Sequence, residues 1–352
     1  MTSRKKILVY RLGSLGDTIV ALPCFHKIAE AFPDADRILL TNIPVSTKAA
    51  PLQAILGDSG LIHSYISYPV GTRSITALWE LSQTIRAIGV DTLVYLMPAR
   101  GRMKIVRDRY FFRLSGVGRI VGLPTTPDLQ NNRIDTISGA EERECERLAR
   151  TLFELGPINL KSASAWDLLL TAQERQQGEA IVAGLKAPPI AINMGGKAAE
   201  KDWGIERWLE LLQRLAASFG DHPLLIVGAA EDSERARQVG QAWPAAVIDT
   251  CGRLSPRESA AALRSAKLFI GHDSGPLHLA AATGVPCVGL FGNFNKPMKW
   301  HPYGAGHAII HNMRGMTAIS VNEVLDTAIQ LLSQREPEPA PPISSPVVRG
   351  CP

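Results

Sequence analysis

No two of the five cysteines, Cys24, Cys145, Cys251, Cys287 and Cys351, stand at C-x-x-C spacing, and one is left over after pairing. That argues against a zinc ribbon and against a disulfide framework, and it makes the cytoplasm the expected compartment. Long apolar runs are missing too: none approaches the roughly 18 residues that a membrane-spanning helix needs. Lys5 and Lys6 lead directly into a short strand rather than a signal-peptide core. Any membrane association is expected to be peripheral. An excess of one charge is also lacking. The 38 Lys and Arg against 33 Asp and Glu leave a formal charge of +5, too mild and too dispersed for a nucleic-acid partner, yet favourable to anionic substrates.

Three absent motifs narrow the chemistry. In RLGSLGD the glycines at 13 and 16 do not make G-x-G-x-x-G, which disfavours a dinucleotide dehydrogenase. In GHDSG the serine stands one place late for the G-x-S-x-G nucleophile elbow of a hydrolase. The acidic pair in DAD, residues 34 to 36, follows Pro33 and reads as a solvated turn rather than a metal-holding D-x-D. No metal and no cofactor are expected.

What is present is a chain of 352 residues, 45% of them hydrophobic, enough for two substantial cores. Short apolar runs alternate with helix-patterned stretches, as a parallel sheet covered on both faces requires. Strands are expected at 7–10, 37–41, 92–97, 189–193, 223–228, 246–249, 267–271 and 287–292, and helices over 74–88 and 207–219. Pro23 should kink or restart the helix that follows the first strand. The stretch NLKSASAWD after Gly156-Pro157 reads as a linker. It divides the chain into domains 1–165 and 166–333, and 334–352 is expected to be a disordered Pro-rich tail.

Residues 268 to 292, LFIGHDSGPLHLAAATGVPCVGLFG, read as strand, loop, helix and strand. Pro276 suits the first helical position and Gly284 the left-handed end. Asp273, Ser274, Gly275 and His278 then gather at one helix mouth. Free first-turn amides and the positive helix end favour a phosphate or diphosphate, and Gly275, if exposed in a cleft, lets a ligand meet the backbone. A bare helix cap would need only Asp273 or Ser274. Asp17, at a helix start, has the same cap alternative.

The stretch GHDSGPLHLAAATGVPCVGLFG resembles the C-terminal donor-binding motif of glycosyltransferase family nine, the bacterial heptosyltransferases. ILVYRLGSLGDTIVALP at 7 to 23 is similar to the family's opening strand and Gly-Asp loop. IAINMGGKAAEKDWGIERWLELL from 190 is similar to its first C-terminal strand with the following Lys-x-Trp, and DTCGRLSPRESAAALRSAKLFIGHDSG from Asp249 also fits. The resemblance implies an α/β fold of GT-B type, two Rossmann-like domains facing across a cleft, the first binding acceptor and the second nucleotide-sugar.

It further implies an inverting, metal-independent transfer of a sugar, heptose from ADP-heptose, to an anionic lipopolysaccharide or related glycan acceptor at the cytoplasmic face of the inner membrane. Asp17 matches the catalytic base. Lys201 matches the cation that stabilises the departing diphosphate, with Lys197 as competitor. The donor would be met by Gly195, Gly196, Lys201, Glu231, Asp273, Ser274, Gly275 and His278; Asp232 is an alternative to Glu231 at the ribose, and both could instead be helix-start carboxylates. Gly16, Arg100, Arg102 and Lys104 are the acceptor candidates, the last three from the basic run ARGRMKIVRDRYFFR, which otherwise reads as a solvated face. A sugar-nucleotide 2-epimerase of similar fold and a non-catalytic glycan-binding relative are the rival readings.

Overall fold

Strand β1 (Lys6–Tyr10) buries Ile7, Leu8, Val9 and Tyr10, with Ile7 and Val9 packed into one core and Leu8 and Tyr10 into another. Burial on both faces at a period of two is what a central parallel strand demands. In this computed structural model, which describes residues 4–42, 51–68, 71, 74–196 and 198–333, β1 pairs in parallel with β2 (Asp36–Thr41) and β4 (Thr92–Tyr95). The edges are β3 (Ser64–Ser67) and β5 (Arg119–Val121). The order is β3-β2-β1-β4-β5. The Pro-rich tail and Lys197 lie outside the described residues.

The second sheet repeats the design with β6 (Ile190–Asn193), β7 (Leu224–Ile226), β8 (Val247–Asp249), β9 (Leu268–His272), β10 (Cys287–Phe291) and β11 (His307–His311), ordered β11-β10-β9-β6-β7-β8 and also parallel. Both sheets reverse their order beside their first strand, between β1 and β4 and between β6 and β9. The crevices outside the carboxyl ends of such neighbours are where open α/β sheets hold ligands. The expected strands are all found. The short edge strands β3, β5 and β11 were not anticipated.

Helix Leu15–Val20 follows β1, and a second helix restarts at Leu22–Ala31 with Pro23 in its first turn, as the missing proline N–H requires. Helices Ile75–Ile88, capped by Ser74, and Arg102–Leu114 cover the opposite face, where Leu81, Ile85 and Phe112 meet Leu8, Tyr10 and Leu40. Two separate cores were expected, but the largest core is continuous across the seam. It joins Ile7, Val9 and Phe25 to Ala191, Phe269 and Leu277. The linker is packed as well, with Trp166 stacked on Tyr303 at 5.7 Å and its indole donating to the Leu160 carbonyl.

Arg257, buried on helix Pro256–Leu263, fastens this seam. Its guanidinium donates to the carbonyls of Ile55, Leu168 and Leu169 and to both carboxylate oxygens of Glu174.

Candidate active site

The carboxyl ends of β1 and β9 face one another, and their helices touch. A methyl group placed on Gly16 would lie 3.2 Å from His278 Cδ2 and 3.5 Å from the Gly275 Cα. The Gly-Asp loop and the GHDSG mouth, far apart in sequence, thus enclose one gap.

On the β1 side, Ser14 is the N-cap of helix Leu15–Val20, and Asp17, three residues on, closes a capping box with it. Asp17 Oδ2 accepts from the Ser14 amide at 2.9 Å and from its hydroxyl at 3.0 Å, leaving Oδ1 without a hydrogen bond among the described residues. The Asp17 carbonyl accepts from buried Arg11, which also donates to the Leu96 carbonyl and so ties the helix start to the end of β4. Gly13 is required by contact: a Cβ there would fall 2.5 Å from that of Asp17. Its amide donates to Asn42 Oδ1, which fixes the loop from β2.

On the opposite side Lys201 is aimed by its neighbours. Trp203 is wholly buried, donates to the Ile319 carbonyl and meets Trp208 edge-on at 5.3 Å, while Asp202 takes both terminal nitrogens of Arg235. With the two following residues anchored, the Lys201 ammonium reaches Asp273 Oδ2 at 2.7 Å and the Asp273 carbonyl at 3.2 Å. The Phe294 ring lies 4.5 Å from the same ammonium, within cation–π range. Asn295 donates to Asp273 Oδ2 at 2.6 Å. Asp273 is therefore held from both sides, and its Oδ1 has no hydrogen bond among the described residues.

Ser274 begins helix Gly275–Ala282 but caps no amide; its hydroxyl donates to Asn193 Oδ1, whose own amide bonds the Val227 carbonyl. That leaves first-turn amides to a ligand. Pro276 is the second helical residue, one later than expected, and Gly284 takes the left-handed φ of +83°. His278 is buried against Gly16, and burial lowers its pKa, so the imidazole is neutral near pH 7; Asp273 and Asp17 oppose that shift and Lys201 adds to it. Behind it a cavity of about 370 Å³ runs along the seam between Trp166, Tyr303 and Lys299, away from Lys201.

Several expectations need correction. Gly275 is not an open cleft position: a Cβ there would fall 2.5 Å from Leu15 Cδ2, so its missing side chain serves helix packing. Gly195 is buried, and a Cβ on it would collide with Asp232 Oδ2 at 2.3 Å; Gly196 alone of the pair is exposed. Asp232 caps its own turn by accepting from the Ala229 amide, whereas Glu231 is exposed. Arg100 is spoken for, bridging Asp108 Oδ2 at 3.0 Å and facing the Tyr10 hydroxyl at 3.4 Å; Arg102 and Lys104 are exposed at the start of helix Arg102–Leu114.

Asn193, Phe294 and Asn295 were missed. Their signal was available, since Asn193 ends β6 at the switch point in IAIN, and Phe294 and Asn295 follow the carboxyl end of β10, the next strand beyond β9, in GNFN.

The chain is similar to several known proteins. Lipopolysaccharide heptosyltransferase 3 of Escherichia coli is 24% identical over 305 residues, spanning 82% of this chain and 83% of its own length. The crystal structure of the glycosyl transferase family 9 protein from Veillonella parvula superposes with a TM-score of 0.72 at 23% identity, covering 94% of this chain and 98% of that one. For E. coli ADP-heptose lps heptosyltransferase II the TM-score is 0.65 at 18% identity, covering 94% and 99%. The fold is that of these GT-B-type enzymes. The model of glycosyltransferase family 9 (heptosyltransferase) matches residues 133–325, more than half of the sequence and all of the Lys201, Asp273 and Asn295 side of the gap, so the chain belongs to that family and is a glycosyltransferase.

Proposed function

We propose that the enzyme transfers heptose from ADP-heptose, with inversion and without a metal ion, to an anionic acceptor of the lipopolysaccharide core. The observation that carries this reading is the contact of Gly16 with Gly275 and His278, which brings the Asp17 carboxylate and the anion-favouring mouth to one gap. Residues 1–165 would form the acceptor half and 166–333 the donor half. The donor is suggested by the family and by the ADP-heptose named for the E. coli relative.

In this mechanism Asp17 Oδ1 takes the proton of the acceptor hydroxyl as its oxygen forms a bond to the anomeric carbon. The bond from that carbon to the diphosphate oxygen breaks on the opposite face, and the departing ADP carries the electron pair. Lys201 and the amides of Ser274 and Gly275 stabilise the developing phosphate charge. Asp273 Oδ1 accepts from sugar hydroxyls. With the ammonium supplied by Lys201, the diphosphate needs no divalent ion.

The test is a thermal-shift screen of nucleotide sugars followed by turnover with and without acceptor. At 100 times its dissociation constant the true donor should stabilise the protein by about 2.7 kcal/mol. Conversion of the donor without acceptor would favour an epimerase, and binding without turnover a glycan-binding role. No stabilisation by ADP-heptose would remove it as donor.

A further inference from the structure

Helix Arg102–Leu114 turns Ile105, Asp108 and Phe112 inward, yet its outer side carries an apolar stripe among its basic residues. Met103, Val106, Tyr110 and Leu114 recur at intervals of three, four and four residues, which keeps them on one side of an α-helix, opposite the buried set. Met103 is 83% exposed, Leu114 70% and Tyr110 66%. The neighbouring helix Ile75–Ile88 adds Ile75 and Trp79, the latter 62% exposed, again outside its buried Leu81 and Ile85. The two helices are joined side by side by the Ser115 hydroxyl on Ser82 and by Arg86 on the Leu114 carbonyl.

The stripe has basic borders. At 3.6 residues per turn Arg102, Arg109 and Arg113 fall along one edge and Lys104 and Arg107 along the other, all exposed. The lone acidic residue of this helix, Asp108, is buried and neutralised by Arg100 and Arg107. We propose that this two-helix face docks on an anionic lipid bilayer. An amphipathic helix with apolar and aromatic side chains between Lys and Arg is suited to lie in the headgroup region. Tyr110 and Trp79 carry the rings that favour that boundary. The face is an outward helix layer rather than a groove, and its exposed charges are mostly basic, with Glu80 of helix Ile75–Ile88 the one exposed acidic residue on the two helices, a balance that favours a flat anionic surface.

Both helices begin beyond the carboxyl ends of β3 and β4, the sheet edge at which Asp17 stands. A glycolipid acceptor would reach the gap from that side. The idea deepens the proposed function, but its test reads binding rather than turnover, so the two fail separately.

The full chain is to be sedimented with phosphatidylcholine vesicles, with and without phosphatidylglycerol, at low and high salt. Binding should be at least about tenfold tighter to the anionic vesicles and should fall with salt. Leu114→Glu combined with Tyr110→Glu should abolish it without lowering Tm, since both side chains are exposed; Arg109→Glu should weaken binding to the anionic vesicles alone. Failure of the wild-type chain to bind anionic vesicles would overturn the proposal, as would binding that survives the paired substitution. A dimer in light scattering that the paired substitution dissolves would assign the face to a second copy of the chain instead.

Discussion

Lys201 and Asp273 form a 2.7 Å ion pair although one follows β6 and the other β9. The ammonium proposed for the diphosphate is therefore already engaged, and a donor must share or displace Asp273. Lys201→Ala should lower kcat by about 10²- to 10³-fold, the usual loss for one group that stabilises developing charge. Asp273→Asn should lower kcat/KM as well, and the two effects should be less than additive, with a coupling of about 0.5 to 3 kcal/mol in a double-mutant cycle. Strict additivity would mean that the pair does not act as a unit.

Asp17→Asn keeps an acceptor for the Ser14 amide and hydroxyl, so the helix start should survive. The proposed base is lost. Donor affinity measured by calorimetry should hold while kcat drops by roughly two to four orders of magnitude. Turnover near that of the wild type would take Asp17 out of the mechanism.

Gly275→Ala should destabilise rather than act on the ligand alone, because the added methyl meets Leu15. Overpacking of this kind costs about 1 to 3 kcal/mol. Leu15→Ala in the same chain should recover part of the lost Tm. A Gly275→Ala protein of unchanged Tm would contradict the contact between the two helices.

His272 is fully buried, and its Nε2 accepts from the Trp208 indole at 3.3 Å. Burial lowers its pKa from 6.5 to about 4, and His301 is lowered likewise. A depressed folded-state pKa means that the unfolded chain binds the proton first, so stability present above pH 6.5 is lost as the pH falls towards 4. Tm should decline across that window, and His272→Gln should make the decline shallower even if it lowers Tm at neutral pH. An unchanged slope would place the acid sensitivity elsewhere.

Turnover is expected to survive EDTA, with Lys201 supplying the charge opposite the leaving group. Complete loss on chelation, restored by Mg²⁺ or Mn²⁺, would overturn the metal-free mechanism.

The apolar strands β1, β2, β6, β9 and β10 could be read directly because burial on both faces leaves continuous hydrophobic runs. SYIS, RIV and HAIIH could not, since short edge strands carry polar residues and no lasting period. Asp17, Lys201 and Asp273 were singled out by their loops together with the family resemblance. The packing of Gly275 on Leu15, of Gly195 on Asp232 and of Arg100 on Asp108 depends on partners from elsewhere in the chain, which local pattern does not reveal. Phe294 and Asn295 were hidden differently: a phenylalanine after a strand looks like core until Lys201 is found beside it.

Arg257 gives the molecule a fulcrum. One guanidinium grips Ile55 of the first half, the crossing segment at Leu168 and Leu169, and Glu174 of the second half. Of these bonds the one to Ile55 crosses between the halves; the others hold the crossing segment and Glu174 to the helix that carries Arg257, so one buried, charge-assisted bond pins the first half to a fixed point of the second. A movement of the halves that kept the Ile55 bond intact would have to pivot near Arg257.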